Sequence, residues 1–352
     1  MARLDVIIVG AGPAGSVAAA HCAQGGRSVL VLEKSCFPRD KVCGDCLNPS
    51  CWPILERLEL AGRVRQLPHA ALREVHIAGL HGEPIALPLP QPPHDEIAVK
   101  RYHFDQLLLT RAIEASATVR DGTTVTKISA PTHPDADWEI RAGDEVFHSR
   151  WLIAADGRNS TVARLLGLLP PLRPERVGFQ THFPLPSAET RRVTMRFLPA
   201  GYCGLADVGE GVANLCLVAI PRHADALKAW ATEQFHLPPD QAWRSITPLR
   251  RTAIDPMRKR LFLVGDAARV VEPFTGEGIY YAMASGDTAA RHLLAEDPAG
   301  YARAHRRLYR GRLWVNQLAR AACLHPTFAA SILAVGRQYP SALAFLMRRI
   351  IR

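Results

Sequence analysis

Gly10, Gly12 and Gly15 are spaced as G-x-G-x-x-G, with Ala14 between the last two. The spacing lies between an apolar run, Leu4 to Val9, and an alanine-rich stretch stopped by Gly25-Gly26. Such glycines allow a tight turn, close approach of a pyrophosphate, and close packing of helix on strand. The helix that follows offers unpaired N–H groups to phosphate oxygens. Val29 to Leu32 is a second all-apolar run, the mark of a parallel strand covered on both faces. Glu33 closes it, with Lys34 beside it, and is placed to accept hydrogen bonds from a ribose. Strand, glycines, helix, strand and terminal acid in register predict a Rossmann-type dinucleotide site.

Two later segments repeat the strand-ended acid. Residues 151–158 are an apolar strand running into Asp156-Gly157, and residues 261–268 run into Gly265-Asp266. Pro273, Gly276 and Gly278 then precede another helical stretch. Each acid could instead only cap the helix after it. Taken as a set, these motifs resemble the FAD-dependent oxidoreductases of the para-hydroxybenzoate hydroxylase fold. The resemblance implies that Asp266 binds the ribityl chain and that the helix from Gly276–Gly278 faces the flavin pyrimidine. It also implies that Asp156 and Gly157 lie near the pyrophosphate and any passing NAD(P)H. No second G-x-G-x-x-G occurs, so FAD is the expected resident cofactor and NAD(P)H, or another reductant, a transient one.

Residues 37–49 contain Arg39-x-Lys41-x-Cys43-Gly44, similar to the geranylgeranyl-reductase-like branch of that superfamily. Val99-Lys100-Arg101 followed by Phe104-Asp105 is also similar, and there the arginine is implied to contact FAD. Family reductases carry Pro-x-Gly-Tyr-x-Trp-x-Phe-Pro in the substrate domain. This chain keeps Pro199, Gly201 and Tyr202 but has Gly204 for Trp and Ala206-Asp207 for Phe-Pro, so part of an aromatic wall for an isoprenoid chain is missing. The paired tryptophans of halogenases are absent from the sequence, which disfavours halogenation.

Cys36, Cys43, Cys46 and Cys51 fall close together. Only Cys43 and Cys46 have knuckle spacing, too little for a zinc site, and no metal is expected. A redox pair, buried thiols, and a single functional Cys43 beside the flavin ring remain open. Hydride chemistry leaves a carbanion or oxyanion that needs a proton, and Cys43 is the expected donor. Tyr202 is the alternative, and His69, His76, His81, His94, His103 and His182 are weaker ones.

The 352 residues are 48% hydrophobic and 22% charged, an ordinary globular composition that excludes disorder or a repeat array. No apolar run is long enough to span a membrane, and the N-terminus lacks the pattern of a signal peptide. Eight cysteines without a secretion signal suggest a reducing, cytoplasmic setting. Of the net charge of +10, residues 291–352 hold nine, as eleven arginines against Glu296 and Asp297. A chain-wide nucleic-acid footprint is therefore not expected.

The expected fold is α/β: a Rossmann-type FAD-binding domain with an inserted β-rich substrate domain and a C-terminal helical tail. The FAD-binding domain is assigned to 1–70, 96–166 and 250–297, the substrate domain to 71–95 and 167–249, and the helical tail to 298–352. Strands are expected at 119–129, at 138–147 and within 172–220, and helices at 104–117, 223–235 and 239–246. Leu343, Leu346, Met347, Ile350 and Ile351 form a helical stripe, flanked by Arg348, Arg349 and Arg352. The tail is either packed with solvated arginines or docks an anionic membrane or an acidic acyl-carrier protein. The expected function is FAD-dependent reduction or dehydrogenation of a carbon–carbon bond in a hydrophobic or carrier-bound substrate. The alternative is a monooxygenase using NAD(P)H and O2.

Overall fold

The computed structural model describes residues 3–80, 82–171, 175–199, 201–339, 341, 343, 345 and 349. Its first sheet has a parallel core. The strands Leu261–Leu263, Glu145–Ala154, Leu4–Val9, Val29–Leu32 and Thr118–Arg120 lie side by side in that order, and Ile8 sits opposite both Ile153 and Val31. Val6, Ile7, Ile8 and Val31 are fully buried, as strands covered on both faces must be. The short strand Met257–Arg258 closes one edge. Trp138–Ala142 and Val125–Ser129 extend the sheet as an antiparallel meander from Glu145–Ala154.

Behind this sheet the helix Pro13–Gln24 is clasped by Arg101–Glu114 and Gly278–Leu294. The last contact is intimate: a Cβ on Gly286 would lie 2.2 Å from the Ala14 carbonyl oxygen. The alanines of the first helix supply the matching flat face.

A second sheet has seven strands, in the order Arg244–Ile246, Val177–Pro184, Val212–Ala219, Gly201–Asp207, Arg192–Leu198, Glu74–Ala78 and Ile85–Pro88. Only Glu74–Ala78 and Arg192–Leu198 pair in parallel, where the two chain segments meet. One face of the sheet packs Phe179, Phe183, Leu215 and Leu217 against the helix Ala224–Phe235. The other packs Val75, Ile77, Phe197 and Tyr202 against Ala322 and Cys323 of the helix Leu313–Leu324 and Ala329 and Leu333 of Pro326–Gln338. A small third sheet, Cys46–Leu47, Ile97–Ala98 and Ala70–Ala71, lies where the chain passes between the two larger ones.

Several expectations need correction. The segment 239–246 is not a helix: turns lead into the strand Arg244–Ile246, which completes the second sheet by pairing with Val177–Pro184. Tertiary pairing has overridden local propensity there. The run 119–129 is broken at Asp121-Gly122 into two strands with different partners, Val29–Leu32 and Trp138–Ala142. The run 138–147 turns at Gly143, so its second half belongs to the long strand Glu145–Ala154. The helix expected at 104–117 spans Arg101–Glu114. Of the C-terminal stripe, Leu343 is buried on the second sheet, whereas Leu346, Met347, Ile350, Ile351, Arg348 and Arg352 lie outside the described residues.

Candidate active site

A cavity of about 460 Å³ runs between the two large sheets. Gly10, Gly12, Ala14, Glu33 and Lys34 line it, as do Asp156, Gly157, Gly265 and Asp266. So do Cys43, Gly44, Arg101, Pro273, Gly276, Gly278 and Tyr202. The sequence-derived site residues thus converge on one hollow, except Gly15. That residue packs behind it, where a Cβ would lie 1.9 Å from the Gly10 carbonyl oxygen.

The dinucleotide end is prepared for a large anion. Gly10, at φ +102°, brings the turn so close to the end of the strand Glu145–Ala154 that a Cβ would meet the Ala155 carbonyl oxygen at 2.5 Å. Ala11 N–H and Ser35 N–H donate to the two oxygens of Glu33 at 2.8 and 2.9 Å, fixing that carboxylate at its strand end. Arg39 and Arg101 both bond the buried carboxylate of Asp105, at 3.1 Å for Arg39 and at 2.6 and 2.7 Å for Arg101. Arg158 donates to Asp266 at 2.9 Å. Lys41 lines the hollow and is open to its solvent, yet desolvation there, and then the crowd of Arg101, Arg39, Arg158 and Lys34, pushes it down to about 8. A hollow that repels its own lysine proton suits a pyrophosphate. The glycine cradle, the cations and the acid at Glu33 therefore fit FAD. Asp156 does double duty: it lines the hollow while accepting from Val162 N–H at 3.0 Å, as the helix-capping reading expects.

The segment carrying Cys43 is tied to the second sheet. Its carbonyl oxygen accepts from Gln180 and Asn214 at 2.8 Å each and from the Cys216 thiol at 3.2 Å. Two residues on, Asp45 adopts a left-handed conformation at φ +61°. Its buried carboxylate accepts from Asn214 at 2.8 Å and contacts His182 Nε2 at 3.1 Å. The nearby Arg101 guanidinium opposes part of the rise in the pKa of the Cys43 thiol. Burial raises the pKa of the thiols of Cys43 and Cys46, opposite to the lowered pKa that a reactive redox pair requires. Tyr202 is buried and its hydroxyl is likewise held well above its ordinary value by burial.

The rest of the wall is apolar: Val75, Ile77, Leu89, Met195, Leu249 and Phe274. Phe274 stacks on Phe197 at 5.0 Å and meets Tyr202 edge-on at 5.2 Å, so an aromatic wall exists although Gly204 replaces the family tryptophan. Met195 takes part of the vacated space, its sulfur 3.1 Å from where a Gly204 Cβ would stand. Beyond these residues the chain outside the two glycine-marked segments contributes Glu96, Gln180 and Asn214, which sequence reasoning missed. Glu96 follows His94-Asp95 in a proline-broken stretch and carries no motif. Yet it lines the cavity, no cation pairs with it among the described residues, and burial raises it to about 7. Its position just before the strand Ile97–Ala98, which pairs with Cys46–Leu47, is what brings it to the site.

The model of the FAD binding domain family matches residues 3–179 and 221–304. Menaquinone reductase of Mycolicibacterium smegmatis is 30% identical over 333 residues, covering 86% of this chain and 79% of its own. Digeranylgeranylglycerophospholipid reductase 2 of Methanopyrus kandleri is 29% identical over 315 residues, covering 82% of this chain and 76% of its own. Among solved structures, the flavin-dependent brominase Bmp2 superposes with a TM-score of 0.81 at 21% identity, covering 99% of this chain and 93% of that one. The last likeness is one of fold.

Proposed function

The chain belongs to the FAD binding domain family and is a flavin-dependent oxidoreductase; from that premise we propose that it reduces a carbon–carbon double bond in a hydrophobic, lipid-like substrate. The observation that supports this most is the continuity of the cavity. The glycine-and-cation cradle leads, past Cys43, into a wall of Val75, Ile77, Leu89, Met195, Leu249 and Phe274. A chamber of that lining gains from burying hydrocarbon, at about 25 cal/mol per Å² of apolar surface removed from water. Two relatives are named for menaquinone and for a digeranylgeranyl lipid, substrates of that character.

Bound FAD would supply the hydride, replenished by NAD(P)H or another transient reductant. The chain's own part is to position and to protonate. Asn214, Gln180 and Cys216 hold the Cys43 carbonyl, and Arg101, fixed by Asp105, lines the same cavity. Burial keeps that thiol protonated at neutral pH, as a donor must be. Phe274, Phe197 and Tyr202 form a stiff aromatic side against which an unsaturated chain lies. The arginine-rich tail docks the enzyme to an acidic surface on the cytoplasmic side, an anionic membrane or a carrier protein holding the substrate.

The test is a single turnover under anaerobic conditions with FAD-reduced protein and a polyprenyl quinone. Reoxidation of the flavin with a saturated bond in the product is the expected result. A requirement for O2, with oxygen incorporated into the product, would replace this reading with the monooxygenase.

A further inference from the structure

A second hollow, of about 430 Å³, opens where Gly278–Leu294 meets Pro298–Tyr309 and the turn that leads into Leu313–Leu324. Arg291, Arg307, Arg310 and Arg312 all line it, together with His292 and Thr288. Two of these cations are answered inside the protein. Arg291 donates to Asp287 at 3.0 Å and Arg312 to Glu277 at 2.8 Å. Asp287 is also shared with Arg57 at 2.9 Å and His21 at 3.2 Å, so the acids are outnumbered. Arg307 and Arg310 are exposed, and neither side chain has a hydrogen bond or ion pair among the described residues. Four guanidinium groups around one hollow, two without a partner among the described residues, make a phosphate site: each presents paired donors that match phosphate oxygens.

The flank of the hollow decides where that phosphate comes from. Leu313 and Trp314 directly follow Arg312 and are exposed at 38% and 44%. Phe328, Val335, Tyr339 and Phe345 are exposed farther along the tail. Six of the eight large apolar side chains exposed among the described residues thus lie within 313–345. Leu313–Leu324 and Pro326–Gln338 are an apolar pair bent by 117°, and no single described helix is long and apolar enough to cross a membrane. A soluble phosphate gains nothing from such a flank. At a bilayer interface, aromatic rings and leucine enter the acyl boundary while arginines meet the headgroups. The same two helices pack on the sheet face that lines the flavin cavity.

We infer that this hollow binds the phosphate of an anionic phospholipid, with Arg307 and Arg310 as its principal ligands and Leu313 and Trp314 seated in the bilayer interface beside it. This assigns the tail to a lipid surface and does not depend on which bond the flavin site reduces.

The experiment is vesicle flotation of the FAD-loaded protein, with phosphatidylcholine alone and with phosphatidylcholine containing phosphatidylglycerol. The wild type partitions into the anionic vesicles, and R307Q/R310Q loses roughly tenfold to thirtyfold of that partitioning at low salt. Trp314→Ser weakens it separately, and to a similar degree at low and high salt. FAD content and melting temperature are followed in each variant. Should the double variant melt early, Trp314→Ser carries the decision. Equal flotation of wild type and variants overturns the proposal. So does binding of inorganic phosphate in calorimetry without any binding to anionic vesicles, and so does binding confined to an acidic carrier protein. Turnover of a short, water-soluble substrate stays unchanged in R307Q/R310Q, so failure here is distinct from failure of the reductase reading.

Discussion

Asn214 donates through one amide nitrogen to the Cys43 carbonyl and to the Asp45 carboxylate, both at 2.8 Å. With Gln180 and Cys216 it ties the second sheet to the segment 43–45, which lines the cavity. The Asp45 carboxylate is buried and Cys43 is half-buried.

Replacing Asn214 with Leu removes one donor from each acceptor, leaving Gln180 and Cys216 on the Cys43 carbonyl and His182 beside Asp45. Loss of a hydrogen bond to an acceptor that keeps other partners costs about 0.5–1.5 kcal/mol, so the urea midpoint falls by the corresponding amount. The larger effect is on turnover, because Cys43 is held less firmly. A variant with wild-type stability and rate would show that Gln180 and Cys216 suffice.

FAD affinity follows the protonation of Lys41. Its pKa in the chain alone is about 8 against an ordinary 10.5, lowered by desolvation and by neighbouring cations. Phosphate binding favours the charged form and raises it again. Affinity is accordingly flat below about pH 8 and falls up to tenfold per pH unit above it. Lys41→Met weakens binding and removes the slope. A flat titration in the wild type would place Lys41 away from the phosphates.

Asp266→Ala is expected to loosen FAD by about 1.5–3 kcal/mol, since a ribityl hydroxyl loses a charged acceptor. It also frees Arg158, now bonded to Asp266 at 2.9 Å. Retention of flavin through gel filtration, followed by absorbance, measures the loss. Undiminished retention would mean that the ribityl chain is held by backbone groups alone.

Glu96 makes stability pH-dependent. Its folded pKa, about 7, lies above the ordinary 4.5 because burial disfavours the charge. The folded state therefore holds the proton more tightly, and its contribution, at most about 3 kcal/mol, is complete below pH 4.5 and lost as pH rises through about 7. The thiols of Cys46 and Cys51 feel its charge, and burial keeps both neutral over that range. Glu96→Gln flattens the melting temperature across this window. An unchanged profile would show that water reaches the carboxylate.

The cradle was legible because its chemistry is local. Gly10, Gly12, Glu33 and Asp266 each stand at a strand end that their own neighbours announce. Arg244–Ile246 was not, since three residues become a strand only when Val177–Pro184 lies alongside. Gly201–Asp207 lies in the stretch 172–220 where strands are expected, but its glycines disguise the alternation and hide that it is a central strand. Asn214, Gln180 and Glu96 were silent for a related reason. Their roles depend on approach to Cys43 and Cys46 across more than a hundred residues or through a two-residue strand pairing, which no spacing encodes.

The central claim is that flavin electrons reach a substrate double bond with Cys43 supplying the proton. It is tested most directly by stopped-flow reoxidation of the reduced enzyme by a polyprenyl quinone without oxygen, with the product analysed for a saturated prenyl bond as against a quinol, comparing wild type with Cys43→Ser. The account predicts that C43S keeps FAD and its melting temperature while flavin reoxidation slows by about 10²-fold or more, the usual worth of a positioned acid. Equal rates in the two proteins, or no reoxidation in either until O2 is admitted, would contradict it.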